Sequence, residues 1–255
     1  MALEIQTVPC LSDNYAFLVH DAQTGETAVV DVPEAGPILA ALDKRGWTLS
    51  HVLITHHHWD HVAGLEALLS AAQARVIGAA DDAHRLPPLD TAVREGDAVH
   101  IGNEAGNVIS VPGHTVGHIA YHFPQSAVVF TADSLMALGC GRLFEGTAGQ
   151  MWDSLSKLAA LPPETMVCSG HEYTLNNAKF AITVDPENPA LKSRLDATET
   201  ARAQDRPTVP STLSEELATN PFLRADEPAL KRQLGMPDAD AVDVFAEIRR
   251  RKDAF

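Results

Sequence analysis

The sequence predicts an α+β fold, an αββα sandwich followed by a small α-helical domain, and three observations carry that prediction. Short apolar, β-branched runs alternate with helically spaced apolar stripes up to about residue 173. Residue types able to hold a cation stand at the ends of four of those runs. After Tyr173 only helix starts, helix stops and helical stripes remain. The predicted domains are therefore residues 1–173, built on sheets, and residues 174–255, built from helices.

Taken in order, residues near 3–8, 15–20 and 27–32 read as a strand meander, and Asp31 reads as a turn or supporting residue rather than a ligand. Ile38, Leu39 and Leu42 mark a helix. His51-Val52-Leu53-Ile54 is a buried strand, and Val62, Leu65, Leu68 and Leu69 then recur at helical spacing, which puts Asp60 and His61 at a helix start. Apolar runs at 108–111, 127–130 and 166–168 read as further strands, with Met151, Leu155, Leu158 and Leu161 as a core-facing helical stripe. Beyond Tyr173, residues 176–183, 189–204 and 237–251 read as helices. Pro207-Thr208-Val209-Pro210 is a break, Thr212-x-x-Glu215 a capping box, and Asp226, Pro228 and Gly235 bracket another short helix.

The strand ending at Ile54 runs into Thr55-His56-His57-His58-Trp59-Asp60-His61. In such a strand-to-helix loop His56 and His58 can point one way while Asp60 and His61 point another, giving two neighbouring cations a half-set of ligands each. His57 is a spacer whose ring faces away from the pair. More ligands follow at later strand ends: His114 after Val111, Asp133 after Phe130 and His171 after Cys168. Convergence of strand ends on one sheet edge is the usual way such sites are built.

His56-x-His58-x-Asp60-His61, Gly113-His114-Thr115-x-Gly117-His118, Phe130-Thr131-Ala132-Asp133 and Gly170-His171-Glu172-Tyr173 resemble the metallo-β-lactamase superfamily. Leu11-Ser12-Asp13-Asn14-Tyr15, the string Gly139 to Thr147, His171-Glu172-Tyr173-Thr174 and the terminal Arg249 to Phe255 resemble its glyoxalase II (hydroxyacylglutathione hydrolase) family. The resemblance implies that His56, His58 and His114 hold one metal, that Asp60, His61 and His171 hold a second, and that Asp133 bridges them. It implies two divalent ions per chain, with zinc favoured and iron or manganese also accommodated. A hydroxide between them would attack a thioester carbonyl, with Asp60 as ligand and orienter. His118 is structural in that family.

The implied substrate is a glutathione thioester, S-D-lactoylglutathione, cleaved to glutathione and D-lactate. A thiol with a pKa near 8.5 leaves readily, so no separate general acid is required. Arg249 and Lys252 are implied for the glycine carboxylate, and Arg142 and Tyr173 nearer the thioester. Phe144 stands where some members have tyrosine, which removes one hydroxyl donor. From local pattern alone, Arg249 to Lys252 are also cations at a helix end, favourably opposed to its dipole, and Arg250 and Arg251 keep that role.

A formal net charge of -15 argues against nucleic acid as a partner. The three cysteines Cys10, Cys140 and Cys168 form no paired framework, which fits a reducing cytoplasm, and Cys168 stands nearest a ligand. No stretch approaches a membrane span, the first residues lack a leader pattern, and no obligatory protein partner is implied. Competing classes are a persulfide dioxygenase with one iron, opposed by His171 to Thr174 and the basic terminus; a non-enzymatic scaffold, opposed by seven intact ligand positions; and a β-lactamase, which has no use for the helical tail. No G-x-S-x-G nucleophile elbow occurs.

Overall fold

Strands β1 (Glu4–Cys10), β2 (Asn14–His20) and β3 (Glu26–Val30) form the expected antiparallel meander. They belong to a computed structural model that describes residues 2–255. Its backbone gathers into two units, one of the residues up to Ser110 with Gly117–Ala132, the other of Val111–Val116 with Asp133–Phe255.

In the first unit, helix α1 (Ala35–Arg45) ends at Gly46, whose left-handed backbone (φ 66) turns its N–H back to Leu42 and Asp43. Strand β4 (Thr48–Leu53) then pairs parallel with β3. The helix expected across Val62 to Leu69 is split into α2 (Trp59–Val62) and α3 (Leu65–Ala71). The split falls at Gly64, where a Cβ would stand 2.7 Å from the Ala35 nitrogen, so the chain turns there to let two backbones meet. Strands β5 (Arg75–Ala79) and β6 (Thr91–Val93) complete a six-stranded sheet in which β3 to β6 run parallel. Strands β7 (Ala98–Ile101), β8 (Glu104–Ser110), β9 (Ile119–Phe123) and β10 (Val128–Ala132) pair antiparallel in the second sheet.

The two sheets of this unit share a core. Phe17 meets Phe130 with ring centroids 5.6 Å apart, Phe123 meets Phe130 at 6.1 Å, and the Tyr121 hydroxyl donates to the Ile54 carbonyl at 2.8 Å. Strands β2, β9 and β10 are buried along their whole length, which is why their sequences read as continuous apolar runs rather than alternating ones. Each such large side chain contributes about 1.5–3 kcal/mol by leaving water.

The second unit opens its main segment at Asp133 with the hairpin β11 (Leu135–Met136) and β12 (Gly139–Cys140). Helix α4 (Ala148–Ala159) follows, begun by a capping box between Thr147 and Gln150. Met151, Leu155 and Leu158 are buried as expected, whereas Leu161 lies past the helix end and is partly exposed. Strand β13 (Met166–Ser169) leads to α5 (Thr174–Val184) and α6 (Pro189–Arg202), and then to β14 (Ser211–Thr212), which pairs with β13. Helices α7 (Leu213–Thr219), α8 (Pro228–Leu234) and α9 (Ala241–Asp253) end the chain. The capping box at Thr212 and Glu215 is present, and α9 starts at Ala241 rather than near Pro237 because the Asp240 side chain accepts from the Asp243 N–H at 2.9 Å.

Helical side chains grip the β11–β12 tip: Asn177 donates to the Ala137 carbonyl at 3.0 Å, Asn220 to those of Met136 and Gly139 at 3.1 and 2.9 Å, and Glu216 accepts from the Leu138 N–H at 2.8 Å. Leu138 has a left-handed backbone (φ 56), and these bonds satisfy polar groups that a buried turn would otherwise strand.

Candidate metal centre

In the first unit the metal loop is organised by Asp31, which follows β3. Asp31 is buried, and its Oδ1 accepts from the Thr55 N–H at 2.9 Å while Oδ2 accepts from the Thr55 hydroxyl at 2.8 Å. Oδ2 also lies 2.8 Å from Nδ1 of His61. A carboxylate there places the imidazole proton on Nδ1, so Nε2 carries the lone pair that a cation needs. Asp31, His56 and His61 bring potential ligand atoms within 4.8 Å of one another. Because its oxygens already serve Thr55 and His61, Asp31 is an orienter of His61, in keeping with its reading as a supporting residue.

The His56 ring centroid lies 4.8 Å from that of His58 and 4.2 Å from that of His61. Asp60 Oδ2 lies 3.9 Å from His61 Nε2, and the Asn14 amide donates to both the Asp60 carbonyl and its carboxylate at 3.1 Å. His57 turns its Nδ1 to Asp82 Oδ2 at 2.9 Å while its ring meets that of His58 edge-on at 5.0 Å. His118 is buried and stacks on His56 with centroids 4.6 Å apart.

In the second unit three buried donors meet. His114 Nε2 and His171 Nε2 lie 3.3 and 3.4 Å from Asp133 Oδ2. Charge-assisted N–H···O bonds are shorter, about 2.7–2.9 Å, whereas tetrahedral ligands about 2.1 Å from one ion sit about 3.4 Å apart. Each histidine–carboxylate distance is compatible with a pair of ligands on a common cation. His114 Nδ1 donates to the Arg142 carbonyl at 2.8 Å, which again leaves the lone pair on Nε2. Gly141 is obligatory here, since a Cβ would collide with the Asp133 carbonyl oxygen and come within 2.8 Å of His114 Nδ1. The His171 ring stacks on Tyr173 at 4.6 Å, and Phe144 meets the His114 ring edge-on at 5.4 Å. Imidazole and carboxylate donors in this arrangement fit a divalent ion such as zinc, iron or manganese.

The basic residues separate by environment. Arg142 is more than half exposed, near Asp253 and the Phe144 ring. Arg249 is buried, its Nη1 on the Cys140 carbonyl at 3.0 Å, its Nε and Nη2 on Asp253 at 3.1 and 2.9 Å, its guanidinium over Phe222. The Lys252 ammonium donates to the Asn176 carbonyl at 3.3 Å between the rings of Phe180 and Phe255. Arg250 and Arg251 both pair with Glu247 and hold its carboxyl down at about 2. All three cysteines are free and buried; burial pushes the Cys10 and Cys140 thiols up to about 11 and that of Cys168 higher still, so none is poised as a nucleophile.

Sequence reasoning passed over the supports: Asp82 behind His57, Asn14 on Asp60, and Glu172, whose carboxylate accepts from the Thr208 N–H at 2.8 Å and hydroxyl at 2.5 Å. No spacing rule marks them, although Asn14 and Glu172 each stood inside a recognised string.

Residues 12–171 match the family model described as metallo-beta-lactamase superfamily, and residues 172–255 the one described as hydroxyacylglutathione hydrolase C-terminus. A hydroxyacylglutathione hydrolase of Cereibacter sphaeroides is 68% identical over 255 residues, the full length of both chains. Among solved structures, ETHE1 from Myxococcus xanthus has a TM-score of 0.66 and 26% identity over all of both chains. TTHA1623 in a di-iron-bound form has a TM-score of 0.63 and 25% identity, covering 86% of this chain and all of that one. Fold and donor set together define a metal-dependent hydrolase with the αββα architecture of the metallo-β-lactamase superfamily and a helical C-terminal region. Across its whole length the chain belongs, more narrowly, to the hydroxyacylglutathione hydrolase (glyoxalase II) family.

Proposed function

We propose that the protein hydrolyses S-(2-hydroxyacyl)glutathione thioesters, S-D-lactoylglutathione foremost, to glutathione and a 2-hydroxy acid, the second step of methylglyoxal detoxification. The observation that carries this reading is the pairing of a histidine and aspartate donor set with a C-terminal region of the hydroxyacylglutathione hydrolase type in one full-length relative of those enzymes.

His56, His58 and His114 would hold one divalent metal, Asp60, His61 and His171 a second, and Asp133 both. When bound, such a pair brings a water towards ionisation at neutral pH and polarises the thioester carbonyl. The chain itself supplies orientation. Asp31 and the Arg142 carbonyl fix the tautomers of His61 and His114, and Asn14 holds the carboxylate of Asp60. Burial of His56, His61, His114, His171 and Asp133 keeps the donors dry, which strengthens every charge interaction at the site.

Arg142 and Lys252 present cations to the carboxylates of the tripeptide, and Tyr173, partly exposed beside His171, presents a hydroxyl. Arg249 supports them by bonding the Cys140 carbonyl to α9 and pairing with Asp253 within that helix. Three free thiols support a reducing cytoplasm as the setting, and no helix among the described residues is long and apolar enough to cross a membrane.

The test is steady-state hydrolysis of S-D-lactoylglutathione by metal-loaded protein, followed by loss of thioester absorbance, with metal content measured on the same sample. Turnover that disappears in Asp133→Ala is expected. No turnover from protein holding two metals per chain would reject this substrate.

A further inference from the structure

We infer that Asp82 is a positioning residue for the metal loop, a buried carboxylate that braces His56 from two sides. This rests on the reading of His56 and His58 as metal ligands. Asp82 closes the turn Ala80–Asp82 after β5, and its side chain is 1% exposed. A carboxylate at that depth is costly unless partnered. Its Oδ2 lies 2.9 Å from His57 Nδ1 and its Oδ1 accepts from Arg85 Nε at 2.5 Å. His57 stands between the two ligands, and the backbone at His58 is extended (φ -60, ψ 142). The His57 ring also meets that of His58 edge-on, with centroids 5.0 Å apart, so anchoring His57 fixes the surface against which His58 packs.

The second brace runs through Gly117. A Cβ on Gly117 would collide with Cβ and Cγ of Asp82 and stand 2.9 Å from its Oδ2, so the glycine backbone rests directly on this side chain. Gly117 adjoins His118, whose ring lies on that of His56 with centroids 4.6 Å apart and planes 12° from parallel. One carboxylate therefore holds the neighbour of His56 in sequence and seats the strand entry that carries its neighbour in space. Asp82 acts through His57 and Gly117, as the outer partners of metal sites do.

The test compares wild type, Asp82→Asn and Gly117→Ala, all prepared metal-free. Zinc is titrated against a chromophoric chelator, Co(II) absorption spectra are recorded, and thermal unfolding is followed by circular dichroism. Asparagine keeps the shape of Asp82 but cannot accept from His57 and Arg85 at once, and alanine at 117 pushes the carboxylate away. In both variants one of the two metals should bind about 10- to 100-fold more weakly, with an altered Co(II) spectrum, in protein that still folds. Zinc affinity and Co(II) spectrum equal to wild type, whatever the change in Tm, would overturn the proposal by showing a purely structural role. Loss of the fold in both metal-free variants, where the wild type stays folded, would overturn it too. A wild type that binds no zinc would overturn the reading of the metal ligands, and this inference with it.

Discussion

Lys252 offers a measurement in which one charge should appear in one kinetic constant. Burial beside Phe180 and Phe255, reinforced by the charge of Arg249 and partly offset by Asp253, pushes its amine down to about 8. A base with that pKa is ~90% protonated at pH 7 and ~10% at pH 9. Only the ammonium form attracts a carboxylate, so the contribution of Lys252 to substrate binding is present below pH 8 and lost above it. A charge-assisted hydrogen bond contributes about 1.5–3 kcal/mol when dry. Lys252 is partly exposed, so solvent screening reduces this to about 1 kcal/mol, or roughly fivefold in KM. Lys252→Met keeps the aliphatic stem against the rings and removes the charge. The assay is KM for S-D-lactoylglutathione in wild type and variant from pH 6.5 to 9.5; taking their ratio cancels titration of the substrate's own amine. The ratio should fall from about five towards one across pH 8 while kcat stays nearly equal. A ratio that is independent of pH, or an effect confined to kcat, would refute the assignment of Lys252 as a carboxylate anchor.

Asp133→Ala should remove the shared carboxylate and abolish binding of the metal pair, read directly as metal per chain after gel filtration. Asp31→Asn leaves one acceptor oxygen where two now serve the Thr55 N–H, the Thr55 hydroxyl and His61, so metal affinity should weaken about 10- to 100-fold in a chelator competition; unchanged affinity would mean that His61 is oriented by something else. Glu216→Ala removes the carboxylate from the partly buried Arg194 guanidinium and strands the Leu138 N–H, and urea unfolding should show a loss of about 1–3 kcal/mol. Chelation of metal-loaded protein should abolish hydrolysis, and zinc, iron or manganese should each restore part of it, since the donors are imidazole and carboxylate; recovery by only one of them would show that geometry, not donor type, selects the ion.

Much of the fold and the proposed ligand set was determined by sequence alone, because those features are local. The β-branched runs of β2, β4 and β10 and the stripe of α4 follow from periodicity, and Thr212 with Glu215 or Pro228 with Gly235 fix helix ends through bonds within a few residues. His56, His58, Asp60 and His61 announce themselves because ligands on one loop need a fixed spacing. What only the tertiary structure decided is how those side chains are held. Asp31 reaches His61 across 30 positions, Asp82 reaches His57 across 25, and Arg142 reaches His114 across 28. Arg249, implied by resemblance to meet a substrate carboxylate, is buried and bonded to the Cys140 carbonyl 109 positions away. The start of the second unit at Asp133 likewise depends on Asn177, Glu216 and Asn220 closing on a turn that precedes them by 40 positions or more. Contacts at such separations obey no periodicity, since what brings them together is the burial of two sheets and a set of helices, and only the folded chain reveals which polar group each buried donor meets.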